Sequence, residues 1–197
     1  MMTPAEQTTQ IRPRNAAATR ASILQAARAR FLLDAYDQVG VRQIAGDAGV
    51  DAALICRYFG SKEDLFTEVV DTTGKDPMDM ISGDRATFGI RMARAMLDPE
   101  KKSHQESIEF INLAVRSTMS PVAGDLVRRH IERRFIEPFA EWLGGHNAIG
   151  KAWLTASVLM GVGIMRGIHC GPSAPADKKE GAIVELASVL QGIVDDA

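Results

Sequence analysis

The chain has 197 residues, 46% of them apolar, and 23 Lys and Arg set against 25 Asp and Glu leave a formal net charge of −2. That content supports a buried core and excludes wholesale disorder, while the balanced charge neither requires nor excludes nucleic acid. Two cysteines, Cys56 and Cys170, are too few for a disulfide framework or, alone, a structural zinc site. No secretory leader is read near the N-terminus, and the longest uncharged stretch, Ala152 to Met165, falls short of the roughly 20 residues of a membrane span. The expectation is a cytoplasmic protein of a reducing compartment with no membrane partner.

Residues 1–18 lack periodicity and read as a flexible basic arm. From Gln7 to Leu33 there is no acid, and Arg12, Arg14, Arg20, Arg28 and Arg30 supply five positive charges, whereas from Asp76 onward 14 basic residues meet 16 acidic ones. A basic zone on a mildly acidic body is the pattern of a phosphate footprint, though a solvated tail and helix face would look the same. No clean apolar–polar alternation marks a strand, while helical spacing recurs throughout, so the fold class is all-α. Ile23, Ala27 and Phe31 step by four along a first helix. A short second helix spans about Val41 to Asp47 with Ile44 and Ala45 inward, Gly49 closes a tight turn, and Asp51 caps a third helix reaching Tyr58. Ser61 and Asp64 make a capping box that opens a fourth helix, on which Leu65, Phe66, Val69 and Val70 share a face.

Gly74, Asp76 and Pro77 then break the pattern, dividing the chain into the arm 1–18, a helix-turn-helix domain 19–75 and a larger helical domain 76–197. In the latter, Asp84 to Leu97 carries Phe88, Met92 and Met96 on one face, and spacing resumes from Lys102 to Met119. Ser120-Pro121 opens the next helix, Pro138 predicts a kink in it, and Gly144-Gly145 stops it. Asn147 to Cys170 is a nearly apolar helix, 171–175 a loop, and Asp177 to Glu180 a start signal for a last helix bearing Ile183, Leu186, Leu190 and Ile193.

Residues 41–58 carry the functional signal. Two short helices joined by a glycine turn meet steeply, as in a helix-turn-helix, with Ala45 small enough for close approach. The second helix offers Ala52, Ala53, Leu54, Arg57 and Tyr58 outward, and a helix fits the major groove of DNA. Arg42 and Lys62 begin the flanking helices, where free N–H groups and the helix dipole also favour an anion, so phosphates are clamped from two sides. An ordinary helical corner with surface cations is the plainer alternative.

The run from Thr19 to Val70 resembles the N-terminal domain of the TetR family of transcriptional repressors. The matching pieces are Ile23 to Ala27 with Phe31, Ala35-Tyr36, Val41 to Ala45, Ala48-Gly49-Val50 and, most specifically, Tyr58-Phe59-Gly60-Ser61-Lys62-Glu63-Asp64-Leu65-Phe66. The resemblance implies an N-terminal three-helix DNA-binding domain and a larger C-terminal domain that binds an effector and dimerises through its last two long helices. It assigns Arg42 to a base or phosphate, Ala52, Ala53, Leu54 and Arg57 to the groove, and Tyr58 and Lys62 to phosphates, with Gln43, Asp51 and Cys56 completing the interface. Three residues depart from the family pattern: Gly40 replaces a Thr or Ser cap, Leu54 a common Thr, and Cys56 a phosphate-contacting Tyr. Part of the readout then falls to apolar contact with thymine methyls.

An adaptable apolar pocket is expected among Phe88, Met92, Met96, Phe110, Phe139 and Trp153, although each is equally suited to a core. His130, Arg133 and Arg134 would supply its polar end, or else form a solvated helix face. Gly163 and Gly167 are read as a close helix approach at a homodimer interface, together with Ile183, Leu186 and Leu190, with a flexible or locally broken helix as the plainer alternative. His104, His130, His146 and His169 lack ligand spacing, and no Walker loop, Gly-x-Ser-x-Gly or His-Glu-x-x-His motif occurs, so neither metal, cofactor nor enzymatic activity is expected. The sequence therefore points to a dimeric, ligand-responsive repressor of a palindromic double-stranded DNA operator, with an apolar small-molecule effector. The competing reading is a helical sensor dimer whose helix-turn-helix is degenerate at Gly40, Leu54 and Cys56.

Overall fold

The structure is a computed structural model that describes the backbone of residues 13–74, 79, 81–98, 102–169 and 176–196, and the side chains of 16–74, 79, 81–98, 106–166 and 180–196. Among the described residues there is no strand. Helix α1 (Pro13–Leu33) is followed by a 3-10 turn (Tyr36–Gln38), α2 (Val41–Ala48), α3 (Ala52–Phe59) and α4 (Lys62–Thr72). A second 3-10 turn (Arg85–Thr87) leads into α5 (Phe88–Leu97), then come α6 (Lys102–Ser117) and α7 (Pro121–Ile131). A π-helical turn (Glu132–Ile136) runs on into α8 (Glu137–Leu143), followed by α9 (Ala148–His169) and α10 (Ala176–Asp195).

Helix starts follow the local chemistry. Asp51 accepts the Ala53 N–H at 2.7 Å, Ser61 and Asp64 exchange bonds as a capping box, and Ser120 accepts the Ala123 N–H just before Pro121. Two expectations change. Helix α1 begins at Pro13, inside the span read as an arm, because a proline start followed by three alanines favours helix without needing an apolar stripe. Pro138 makes no simple kink: it lies in the first turn of α8, and the π-helical turn before it opens the helix where its ring would meet a carbonyl four residues back.

Two cores form. The N-terminal core holds Ile23, Phe31, Ile44, Ile55, Leu65 and Phe66, and it continues into Leu113, Ala114, Ala123 and Val127 of α6 and α7. The other packs Phe88, Met92, Phe135 and Phe139 against Ala152, Ala156, Leu186 and Leu190. One close seam is α5 on α10, where a Cβ on Gly89 would stand 2.2 Å from the Ala187 carbonyl oxygen. Polar contacts bind the N-terminal helices to this body. Arg28 pairs with Glu109, Arg116 Nη1 donates to the Leu33 carbonyl at 2.9 Å, and Ser120 Oγ donates to Asp37 at 3.0 Å.

Candidate nucleic-acid interface and effector cavity

The turn between α2 and α3 is built on Gly49, whose φ of 66° and ψ of 34° lie in the left-handed region. Its N–H reaches back to α2, the Val50 N–H bonds the Ala45 carbonyl at 3.0 Å, and Ile44, Ala45 and Ile55 are buried between the helices. This leaves Ala53, Cys56 and Arg57 as the exposed strip of α3, with Asp51, Arg42 and Gln43 exposed beside it. Arg42 and Arg57 have no ion pair among the described residues. Ala52, Leu54 and Tyr58, expected to point outward, are half-buried and pack on the edge of the N-terminal core. The exposed apolar surface of α3 therefore narrows to Ala53, with Leu54 at its edge.

Several cations and caps read as phosphate contacts are held inside the protein. Lys62 Nζ donates to the Tyr36 carbonyl at 2.7 Å and sits 4.0 Å from the centre of the Tyr36 ring, and burial lowers its pKa. The Tyr36 hydroxyl in turn donates to Glu63 at 3.1 Å, and burial with this partner raises its pKa. Gln43 Oε1 accepts the Gly40 N–H at 2.8 Å, half of a capping box that glycine has no side chain to complete. Of the basic zone, Arg20 pairs with Glu68 (2.6 Å), Arg28 with Glu109, and Arg30 with Asp47 (2.8 Å). Sequence proximity of like charges concealed these partners, which lie 17 to 81 residues away. Arg12 lies outside the described residues, as does the side chain of Arg14.

Between the end of α4 and the second core lies a cavity of about 110 Å³, lined by Met96, Phe110, Ile111, Phe135, Ala156, Leu159 and Met160 on its apolar side. Its polar side is made by Thr73, Ser107, His130 and Arg134. His130 is 7% exposed, and its Nδ1 stands 2.7 Å from Asp71 of α4. Burial holds the imidazole below its ordinary pKa, with Arg134 and Arg133 adding to that effect and Asp71 opposing it. The π-helical turn carries Arg134 and Phe135, and the extra residue in that turn rotates the following side chains by about a quarter turn relative to an α-helix.

Of the six pocket residues expected, Met96 and Phe110 line this cavity. Phe88, Met92 and Phe139 belong to the packed core instead: Phe88 and Phe139 stack with ring centres 5.1 Å apart. Trp153 points outward from α9, 42% exposed. Of the three residues offered either as the polar end of a pocket or as a solvated helix face, His130 and Arg134 line the cavity and Arg133 is 65% exposed. The i, i+4 spacing of His130 and Arg134 was the available signal, hidden because nothing in the sequence shows that this face turns to α4.

The residues expected at a dimer interface face inward. Ile183, Leu186 and Leu190 are buried within the subunit, and a Cβ on Gly163 would come within 2.1 Å of Ile111 Cδ1, so Gly163 serves the approach of α9 to α6. The surroundings of Gly167, and all of Cys170, lie outside the described residues. Ile149, Trp153, Leu154, Ile164 and Met165 of α9, with Val184 and Val189 of α10, form the exposed apolar positions of the last two helices. Over Ala148–Arg166, α9 is long and apolar enough to cross a membrane by length and composition, with mean hydropathy 1.5 and 28% of the window buried. The uncharged stretch alone appeared too short because it stops at Lys151 and Arg166, which such a window tolerates at its ends.

Comparisons with known proteins agree with this geometry. The family model for bacterial regulatory proteins of the tetR family matches residues 23–69, and that for the tetracycline repressor-like C-terminal domain matches 86–194. A search of curated proteins finds no match. Among solved structures, a TetR-family regulator from Streptomyces coelicolor is 25% identical with a TM-score of 0.56, covering 94% of this chain and 99% of the other. NalD of Pseudomonas aeruginosa, described as the secondary repressor of the MexAB-OprM multidrug efflux pump, is 17% identical with a TM-score of 0.64, over 87% of this chain and 95% of its own. A TetR-family transcriptional regulator from Rhodococcus sp. is 16% identical with a TM-score of 0.65, over 90% and 99%. With both halves matched and the helix-turn-helix intact, the chain belongs to the TetR family, and its fold is that of a DNA-binding transcriptional regulator.

Proposed function

We propose that the chain is a cytoplasmic, non-enzymatic, homodimeric repressor that sets α3 of each subunit in a major groove of a palindromic operator and releases it when a small molecule fills the cavity behind α4. The observation that carries this reading is the exposed strip Ala53, Cys56 and Arg57 on a rigidly braced α3, with Arg42 free alongside. Arg57 reads or orients on a base, Arg42 meets a phosphate, and Ala53 with the edge of Leu54 contacts thymine methyls. Asp51 fixes the start of α3, Tyr58 braces it from the core side, and Lys62 positions Tyr36 while keeping donors for a phosphate. The two-fold pairing rests on the exposed apolar positions of α9 and α10, a surface that also explains how a helix apolar enough for a membrane is accommodated.

The effector reading is supported by where the cavity lies. Its wall residue His130 bonds Asp71 of α4, the helix that follows α3, so an occupant bears on the DNA-binding helices through one hydrogen bond. An effector shifts the balance between DNA-binding and released states only by its differential affinity for them. The degenerate-sensor reading draws its own support from the internal pairing of Arg20, Arg28 and Arg30. Selection from a random duplex pool at about 150 mM salt, where purely electrostatic binding is weak, separates the two. An enriched inverted repeat is expected; a folded dimer that enriches nothing establishes the sensor instead.

A further inference from the structure

We infer that the cavity behind α4 takes a neutral monocyclic molecule bearing one hydroxyl, of the phenol class, whose hydroxyl donates to His130 Nε2 and accepts from Arg134. The inference rests on the effector reading for its biological meaning, but its chemistry follows from the cavity walls.

Size comes first. An apolar cavity of about 150 Å³ holds benzene, and this one is about 110 Å³. The pocket is open on one side, and Met96 and Met160 in its wall are unbranched and adaptable, so its enclosed part is sized for a single six-membered ring. Phe110 and Phe135 offer ring faces and edges to that occupant.

The polar wall decides the substituent. The Asp71 carboxylate accepts from His130 Nδ1 at 2.7 Å, which favours the tautomer with its proton there and leaves Nε2 as the acceptor nitrogen of a ring that lines the cavity. Arg134 also lines the cavity, and its guanidinium is a donor with five N–H groups to distribute. A hydroxyl satisfies both at once, donating to the imidazole and accepting from the guanidinium. A carboxylate accepts only; it would face the Nε2 lone pair, and burial together with Arg134 and Arg133 outweighs Asp71 in opposing the protonation that would relieve this. A plain hydrocarbon would strip water from Nε2 and return nothing, the situation in which sites built for a hydroxyl reject the analogue lacking it most strongly.

The test is calorimetric titration of the full chain at pH 7.5 with phenol, toluene and benzoate, alongside the nitrogen-15 resonance of His130. Phenol is expected to bind at least tenfold tighter than either of the others and to shift the Nε2 signal while Nδ1 stays with Asp71. H130F, which keeps a ring but removes the acceptor, is expected to abolish the preference for phenol over toluene. Should that variant not fold, A156L, which fills the cavity from α9, is expected to abolish phenol binding while the protein still melts cooperatively. Equal binding of phenol and toluene, tighter binding of benzoate, or phenol bound with Nε2 unmoved would each overturn the inference. An operator released by some other molecule, with phenol not bound, would sink this chemistry and leave the repressor reading standing. Phenol bound by a protein that enriches no operator would do the reverse.

Discussion

The DNA-binding helices and the C-terminal body are built from similar residues but specified in different ways. In α2–α4 the helix starts and turns are set locally: a cap at Asp51, a left-handed Gly49 between α2 and α3, a capping box at Ser61 and Asp64, each within a few residues of what it controls. In the body the determinants are distant. Gly89 permits the approach of a helix about a hundred residues away, Arg85 donates to the Leu143 and Val194 carbonyls, and His130 meets Asp71 across 59 residues. A region fixed by short-range bonds shows its function in its residues, whereas one fixed by long-range packing hides which side of each helix works.

The difference can be tested by disrupting each kind of determinant. Phe139 is fully buried and stacked on Phe88, Phe135 and Trp142, so F139A should cost about 3–5 kcal/mol of stability, seen as a large fall in denaturation midpoint. G89A comes next. Its Cβ meets backbone oxygen rather than a flexible side-chain end, so α5 and α10 must part at a cost of about 1–3 kcal/mol, measured the same way. A G163A loss confined to stability, with sedimentation unchanged, would confirm that Gly163 serves α9 on α6, while L154D should shift the same experiment toward monomer.

On the DNA-binding side the effects are smaller in stability and appear in affinity. R57A should leave the melt unchanged and weaken operator binding by about 1–3 kcal/mol with relaxed specificity at one position. R42A should weaken all sequences alike and reduce the salt slope by about one. The smallest expected effect is on pH dependence. Burial depresses the folded pKa of His130 below its ordinary value, so as pH falls through about 6.5 the unfolded chain binds the proton first and stability declines. Replacing His130 by Gln should flatten that decline in chemical denaturation between pH 7 and 5; an unchanged slope would mean that Asp71 compensates fully.

The helical class, the helix-turn-helix and its flanking caps were readable because each depends on residues adjacent in the chain. Exposure on α3 was partly readable: Ala53 and Arg57 are exposed as expected, but Ala52, Leu54 and Tyr58 were drawn toward the core, and Cys56, not among the residues read as outward, is exposed. The cavity was least readable. Hydrophobic spacing marks which face of a helix is buried, and Phe88, Met92 and Phe139 satisfy that test as well as Met96 and Phe110 do. A core and a pocket share the same spacing, and only the gap between assembled helices distinguishes them.

Composition, periodicity and capping residues were enough to determine an all-α chain with a helix-turn-helix near its start, since backbone hydrogen bonds and turns are settled over a few residues. Which arginines remain free for phosphate, which glycines serve internal seams, and where His130 stops being a surface residue and becomes the wall of a cavity were decided by tertiary packing. Those outcomes depend on partners tens of residues distant, and a charge or an apolar face carries no mark of the partner it will find.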